Sequence, residues 1–181
     1  MNRVQFQSVD LLPVFGKPIY IQHCESQQGT KQHADALLVS SDTGKSVNND
    51  VATKQVAWKT LIYSQLELMS GLIGLETELK LQESYVNRLK QGQSLHLLPK
   101  NDRILTGVWF IEEPKTQMVW TDNSEQWFAG LDLKFGNENL VNSNEFQFTP
   151  TEGNFCLYPS SMTLSIGHTG NNVSILEFYL K

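Results

Sequence analysis

The chain has 181 residues, of which 40% are hydrophobic and 18% are charged, and its formal net charge is -5. This length predicts a single domain, residues 1–181, with enough apolar side chains for a sizeable core. Scattered basic residues on an acidic chain argue against nucleic acid as a partner. No apolar run reaches the roughly 20 residues that cross a bilayer, and the N-terminus lacks a signal-peptide pattern. We therefore expect no membrane contact, and a location in a cytoplasm or in a particle assembled there.

Residues up to about 75 are predicted to form an N-terminal strand, loops and one packing helix. In Val9–Ile21, prolines and Gly16 predict a loop that enters a strand at Ile19–Ile21. The polar stretch Glu25–Asp50 predicts a surface loop with a short helix or strand near Ala36–Val39.

Histidines and cysteines in this region carry no ligand pattern. His23 and His33 have no carboxylate or further histidine at ligand spacing, so we predict exposed loop histidines rather than a metal pair. Cys24 and Cys156 lack companions at CxxC spacing and are predicted to be buried free thiols, although a single long-range disulfide is arithmetically possible.

The clearest helix is predicted over Val56–Ile73. Its apolar residues recur at spacings of three and four, and Gly71 and Gly74 mark its end. One apolar stripe results, formed by Trp58, Leu61, Ile62, Leu66, Met69 and Ile73. Such a stripe is typical of a helix packed on a sheet.

From about residue 76 to residue 181 the pattern changes to short strands separated by turn signals. Strands are predicted between Leu79 and Leu89, towards Trp109, over Gln117–Trp120, around Phe146–Phe148, over Phe155–Tyr158 and over Val173–Leu180. A further strand is predicted inside the excursion Asn123–Asn144. Strands preceded by one good helix predict a mainly β protein, a jelly roll with a helical layer on one sheet.

One stretch, Gly92–Trp109, carries the most information about function. A polar run with His96 and Pro99 leads into an apolar strand that becomes small at Thr106 and Gly107. This segment resembles the short iron(II)- and 2-oxoglutarate-dependent oxygenases of marine bacteria and their phages. There it reads roughly Gly-x-Ser-x-His-x-His-x-His-Pro, followed by Leu-Ser-Gly-Val and an aromatic pair, and six residues fall in step: Gly92, Ser94, His96, Leu105, Gly107 and Val108.

Other segments extend the resemblance over nearly the whole chain and in the same order. They are Val14–Tyr20, Glu83–Asn87, Trp120–Asn123 and Gly153–Met162. The resemblance implies a double-stranded β-helix, which is the cupin-like form of the jelly roll.

The residues that carry the family's chemistry are absent from this sequence. Leu98 and Lys100 stand where the second and third histidines would be, Leu164 where the distal iron-binding histidine would be, and Asn172 where an arginine would hold 2-oxoglutarate. An iron(II) oxygenase needs two histidines and a carboxylate on the metal, and a guanidinium for the cosubstrate. We therefore predict no catalytic, metal-binding or cofactor-binding residues and no cofactor.

The resulting hypothesis is a non-catalytic relative of these oxygenases that serves as a structural or protein-binding module. Because such short oxygenases are common in phages, we expect a virion component in the neck, tail or capsid, with other protein subunits as partners in an oligomer.

Two alternatives stay open from the sequence. One is an active oxygenase with relocated ligands, His96, Asp122 and His168, with Asp102 as a further candidate. In the simpler interpretation, His168 is a solvated turn histidine, and the pair Glu112-Glu113 is a solvated charge run at a hairpin. The other alternative is a metal-free, cupin-like pocket for a sugar or another small ligand.

Overall fold

A computed structural model of the protein describes residues 10–14, 17–25, 29–39, 41, 44–122, 145–168 and 170–181. In chain order the elements are β1 (Asp10–Val14), β2 (Lys17–His23), α1 (Thr30–Leu38), α2 (Val51–Lys54), α3 (Val56–Ile73), β3 (Leu81–Leu89), β4 (Ser94–Leu97), β5 (Leu105–Phe110), β6 (Thr116–Thr121), β7 (Glu145–Phe148), β8 (Asn154–Pro159), β9 (Thr163–His168) and β10 (Val173–Leu180).

The strands form two antiparallel sheets. The six-stranded sheet has the order β1-β2-β8-β5-β10-β3, and the four-stranded sheet has the order β4-β9-β6-β7. Several neighbours in space are distant in sequence, since β2 pairs with β8 and β10 lies between β5 and β3. The predicted mainly β architecture with a helical layer on one sheet is confirmed.

The six-stranded sheet has an apolar layer on each of its two faces. Successive side chains of a strand point to opposite faces, so each strand contributes to both layers. On one face, residues such as Trp109, Phe155 and Phe178 pack against α3. On the other face, residues such as Val108 and Ile175 pack against the four-stranded sheet. The second layer is the inter-sheet layer, and any site of the predicted family would lie there.

The predicted helix is confirmed at both ends. α3 covers Val56–Ile73 and ends at Gly74, which adopts the left-handed conformation that glycine tolerates best (φ 68°). It buries Trp58 and Met69 against the sheet, together with Ile62 and Leu66. Trp58 meets Trp109 of β5 edge to face, with ring centroids 6.4 Å apart.

Several predictions for the N-terminal part need correction or extension. The segment interpreted as a loop before Ile19 contains β1, an edge strand in which Pro13 lies opposite Pro18; an edge strand tolerates proline because one side needs no N–H donor. The short element near Ala36–Val39 is helix α1, and α2 was not predicted. The strand expected inside Asn123–Asn144 lies outside the described residues.

The outer edge of β3 is covered by the loop that precedes α2. Lys45 pairs with Asn87 and Asp50 pairs with Ser84 in isolated β-bridges. The Ser84 hydroxyl accepts a hydrogen bond from the Ala52 N–H (2.9 Å), and the Ser46 hydroxyl accepts one from the Val86 N–H (3.0 Å). This loop therefore satisfies part of an exposed sheet edge. Within the described ranges, no helix is long and apolar enough to cross a membrane.

Candidate functional site: the inter-sheet layer

The inner face of the four-stranded sheet is apolar around Leu164, the residue that the resemblance assigns to the distal iron ligand. Leu164 on β9 lies opposite Leu97 on β4 and opposite Trp120 on β6. All three side chains are buried in the inter-sheet layer, and Leu164 is 0% exposed. The position that the resemblance assigns to the distal histidine thus holds a packed leucine.

The side chains of Leu164, Leu97 and Trp120 do not fit an iron(II) and 2-oxoglutarate site. Leucine has no lone pair to donate, and an indole N–H is a donor only. The buried Tyr158 ring meets Trp120 edge to face at 6.0 Å, and burial raises the pKa of its hydroxyl well above the usual value, so it is a neutral phenol at neutral pH. Among the described residues, no three His, Cys, Asp or Glu side chains are close enough to share a metal ion.

Lys100, which the resemblance aligns with the family's third histidine, contacts two neighbouring strands. Its Nζ lies 3.0 Å from Glu83 Oε2 on β3 and 3.6 Å above the ring of Tyr179 on β10. Arg103 Nη2 adds a second ion pair to Glu83 at 3.2 Å. Leu98, at the place of the second histidine, is 69% exposed. The β4–β5 connection is therefore anchored by charge pairs and a cation–π contact.

The Lys100–Glu83 pair predicts a pH dependence of stability. The hydrogen bond from Lys100 lowers the pKa of the Glu83 carboxyl. A carboxyl whose pKa is lower in the folded than in the unfolded state stabilises the protein fully above the unfolded-state pKa, and this contribution is lost as the pH falls through the folded-state pKa. We expect Lys100→Met to lower the free energy of unfolding by about 0.5–1 kcal/mol at pH 7, and the gap to wild type to narrow towards pH 3.

Urea unfolding of wild type and Lys100→Met between pH 7 and pH 3 measures this effect. Lys90→Met, at an exposed lysine that follows β3, is the matched control and should track wild type at every pH. A gap between Lys100→Met and wild type that stays constant with pH would contradict the assignment.

His96 faces away from the inter-sheet layer. Along β4 the buried Leu97 points inward, so His96 points outward, and its Nδ1 lies 3.0 Å from Ser165 Oγ on β9. The two residues are direct cross-strand partners. His96 therefore lies on the outer face of the four-stranded sheet, where it lines an open groove of about 680 Å³ with Ser94, Gln117, Val119, Ser165 and Gly167 among its neighbours.

The relocated ligand set does not converge on one point. His168 lies beside Thr116 at one end of β6, and Asp122 follows the other end of that strand. Six residues of strand separate their positions by about 20 Å. Asp122 forms an ion pair with Lys17 (2.8 Å). The remaining candidate, Asp102, is exposed and pairs with Arg103.

Three polar side chains are less exposed than predicted. His168 is buried rather than a solvated turn residue, and its Nε2 contacts the Asn171 carbonyl. His33 is half-buried on α1, where its ring meets Trp58 edge to face at 5.1 Å. Glu112 also has specific partners, because it accepts a hydrogen bond from the Ser174 N–H (3.0 Å) and pairs with Lys31 (2.6 Å).

Asn172, at the position where the resembled family has an arginine for the cosubstrate, lies just before β10 and is exposed. It lines a concave surface with Lys31, Glu112, Asp35 and Arg88. Arg88 faces this surface, but its guanidinium pairs with Asp35 and donates to the Ser174 hydroxyl (3.0 Å). These ion pairs connect α1 to the six-stranded sheet.

Sequence analysis missed a buried carboxylate on the inter-sheet face of β10. Glu177 is 1% exposed, and it accepts hydrogen bonds from Asn87 Nδ2 and from the Tyr179 hydroxyl, each at 2.7 Å. Lys45 supplies the opposite charge at 3.1 Å and lies 3.8 Å above the ring of Tyr85. Burial and the nearby Glu177 charge raise the pKa of Tyr179. No local pattern signals this network, because Lys45 and Asn87 come from distant parts of the chain.

Both cysteines are buried free thiols, as predicted. Burial raises the pKa of Cys24 to about 11 and also raises the pKa of Cys156. Thiols with raised pKa values are poor nucleophiles at neutral pH. Neither thiol is therefore activated as a nucleophile.

Comparison with known proteins identifies the fold. No protein-family model and no curated protein matches the sequence. A prolyl hydroxylase from Trichoplax adhaerens, in complex with a hypoxia inducible factor oxygen degradation domain peptide fragment, is similar in structure: the TM-score is 0.61, the identity is 10%, and the match covers 90% of this chain and 82% of that chain.

Two further solved structures share the architecture. The non-heme alpha ketoglutarate dependent epimerase SnoN from nogalamycin biosynthesis has a TM-score of 0.56 and 14% identity, covering 89% of this chain and 78% of that chain. The viral collagen prolyl hydroxylase from Paramecium Bursaria Chlorella virus-1 has a TM-score of 0.54 and 9% identity, covering 88% and 94%. The chain therefore has the double-stranded β-helix fold of 2-oxoglutarate and iron(II) oxygenases, as the resemblance implied.

Proposed function

We propose that this protein is a non-catalytic member of the oxygenase-fold class and serves as a structural or protein-binding module. The observation that carries the proposal is the packing of Leu164 against Leu97 and Trp120, at the point where an oxygenase of the resembled kind would bind iron. Replacing a metal ligand by a packed apolar side chain removes a bond that binding requires and adds core stability.

The inter-sheet face of the six-stranded sheet supports the same proposal. Its one buried carboxylate among the described residues, Glu177, is already neutralised by Lys45 and accepts two hydrogen bonds. A carboxylate with this set of partners stabilises the sheet. Releasing it to bind a metal would break every one of these contacts.

Anaerobic iron(II) titration by calorimetry, with and without 2-oxoglutarate, tests the proposal. We expect no heat above background for wild type. Micromolar binding that 2-oxoglutarate strengthens would overturn the proposal. In that case the same titration of His96→Ala and His168→Asn would show whether either histidine binds the metal. In the metal-free protein, His96 contacts Ser165 and His168 contacts the Asn171 carbonyl.

The biological setting that we propose is a virion component in the neck, tail or capsid, assembled in a host cytoplasm. The phage occurrence of the short oxygenases that the sequence resembles supports this setting by analogy. Mass spectrometry of gradient-purified particles from the source culture tests it. The chain should be present at a fixed stoichiometry with the coat proteins, and its absence from intact particles would contradict the setting.

A further inference from the structure

One flank of α3 carries a second uncharged row beside the buried one. Its members follow one another at alternating spacings of four and three residues, which is the repeat of a coiled-coil seam. They are Leu61, Ser64, Leu68 and Gly71, and Leu61 is half-buried and also packs against the core beneath the helix. We call this row the α3 seam.

The α3 seam is partly open to solvent and carries no charge. Leu68 is 52% exposed, and neighbouring Leu72 is 54% exposed. Ser64 and Gly71 are also exposed. A helix that is apolar on its inner and outer sides is typical of one covered on both sides, and depletion of charge is typical of interface centres.

Large and small residues alternate strictly along the α3 seam. In a parallel pair of identical helices, leucine would face leucine and small would face small, which leaves voids. In an antiparallel pair, each leucine faces a small residue of the other copy. A single register satisfies both kinds of layer: Leu61 with Gly71, and Ser64 with Leu68.

The charges at the two ends of α3 complement each other in this arrangement. Lys54 precedes the helix, and Glu76 and Glu78 follow it. Lys54 already pairs with Asp50 of its own chain at 2.9 Å, and both partners remain accessible. An antiparallel pair brings Lys54 of one copy near Glu76 and Glu78 of the other.

We propose that the α3 seam binds the α3 seam of a second copy of this chain, forming a two-fold symmetric antiparallel dimer. A self-complementary surface around a two-fold axis is the commonest form of homo-oligomer. The proposal rests on the proposed role as an assembly module and names its first partner. One helix pair covers less than the roughly 1,600 Å² of a standard interface, so we expect a dissociation constant in the micromolar range.

Sedimentation equilibrium of wild type and Gly71→Leu, from about 1 µM to about 500 µM, tests the dimer. No heavy atom lies within 4 Å of a Cβ placed on Gly71, so the monomer tolerates the leucine, whereas the opposing Leu61 of the other copy does not. We expect Gly71→Leu to weaken dimerisation at least tenfold while thermal stability stays unchanged or rises.

Lys59→Leu is the matched control. The 3.6-residue repeat places Lys59 on the side of α3 away from the seam, and it is exposed. This variant adds a leucine to the same helix and should dimerise like wild type. A wild-type protein that stays monomeric throughout the range would overturn the proposal, as would a dimer that Gly71→Leu and Leu68→Glu both leave intact.

The iron titration separates this proposal from the functional one. A dimer that also binds iron would leave the α3 seam assignment standing and sink the non-catalytic function. A monomer that binds no iron would overturn the α3 seam assignment and leave the non-catalytic function standing.

Discussion

Gly107→Ala is expected to lower the free energy of unfolding by about 3 kcal/mol, the upper end of the usual cost of overpacking a core. Gly107 on β5 lies directly opposite Phe178 on β10. A Cβ at this position would lie 2.0 Å from Phe178 Cζ, and that ring is fully buried against Phe155, with centroids 5.4 Å apart. A fully buried ring can move away only by displacing its neighbours. Urea unfolding followed by circular dichroism measures the change.

Two further variants make the Gly107 prediction specific. Gly71→Ala is the control, since nothing lies within 4 Å of its Cβ, and it should stabilise the protein by up to about 1 kcal/mol through helix propensity. Adding Phe178→Leu to Gly107→Ala should recover part of the loss by removing the clashing atoms. A Gly107→Ala protein within about 0.5 kcal/mol of wild type would show that the ring relaxes easily.

Glu177→Ala is expected to destabilise the protein by about 3 kcal/mol, because it leaves the Asn87 amide and the Tyr179 hydroxyl without an acceptor. The Lys45 ammonium loses its counter-charge but is 39% exposed and can reach water, so its share of the cost is small. Thermal or urea unfolding at pH 7 measures the loss.

A double-mutant cycle tests whether the network acts as a unit. Combined with Lys45→Met, Glu177→Ala should cost less than the sum of the two single changes, since the ion pair is counted twice in the sum. Glu67→Ala, at an exposed glutamate on α3, is the control and should stay within about 0.5 kcal/mol of wild type. Additive effects would mean that Lys45 and Glu177 do not interact in solution.

Local sequence patterns predicted the elements whose signals are themselves local. The apolar stripe and the terminal Gly74 predicted α3 at both ends, and the apolar run of β10 was likewise predicted at both ends. By contrast, β1 was hidden by Pro13, because a proline rules out a central strand but not an edge strand. β9 was missed although Leu164 and Ile166 alternate with Ser165 and Gly167.

The same distinction applies to the candidate site: one of its features was predicted from the sequence, and two others depend on the three-dimensional fold. Resemblance to a family pointed to Leu164, and the structure places it at the centre of an apolar layer. The direction of His96 depends on strand parity, because a shift of one residue exchanges the two faces, and no motif fixes that parity. Burial of Glu177 was invisible because its counter-charge, Lys45, lies 132 residues away.

The position of β10 has a consequence for synthesis. This strand follows every other described strand along the chain, yet it lies between β5 and the edge strand β3 of the six-stranded sheet. While the chain emerges from the ribosome, the edges of β3 and β5 that pair with β10 therefore stay unpaired until residues 173–180 have been synthesised. Their apolar faces stay exposed for the same time. Such nonlocal pairing folds slowly and exposes the nascent chain to aggregation, so a yield that depends on chaperones is the expected behaviour in cells.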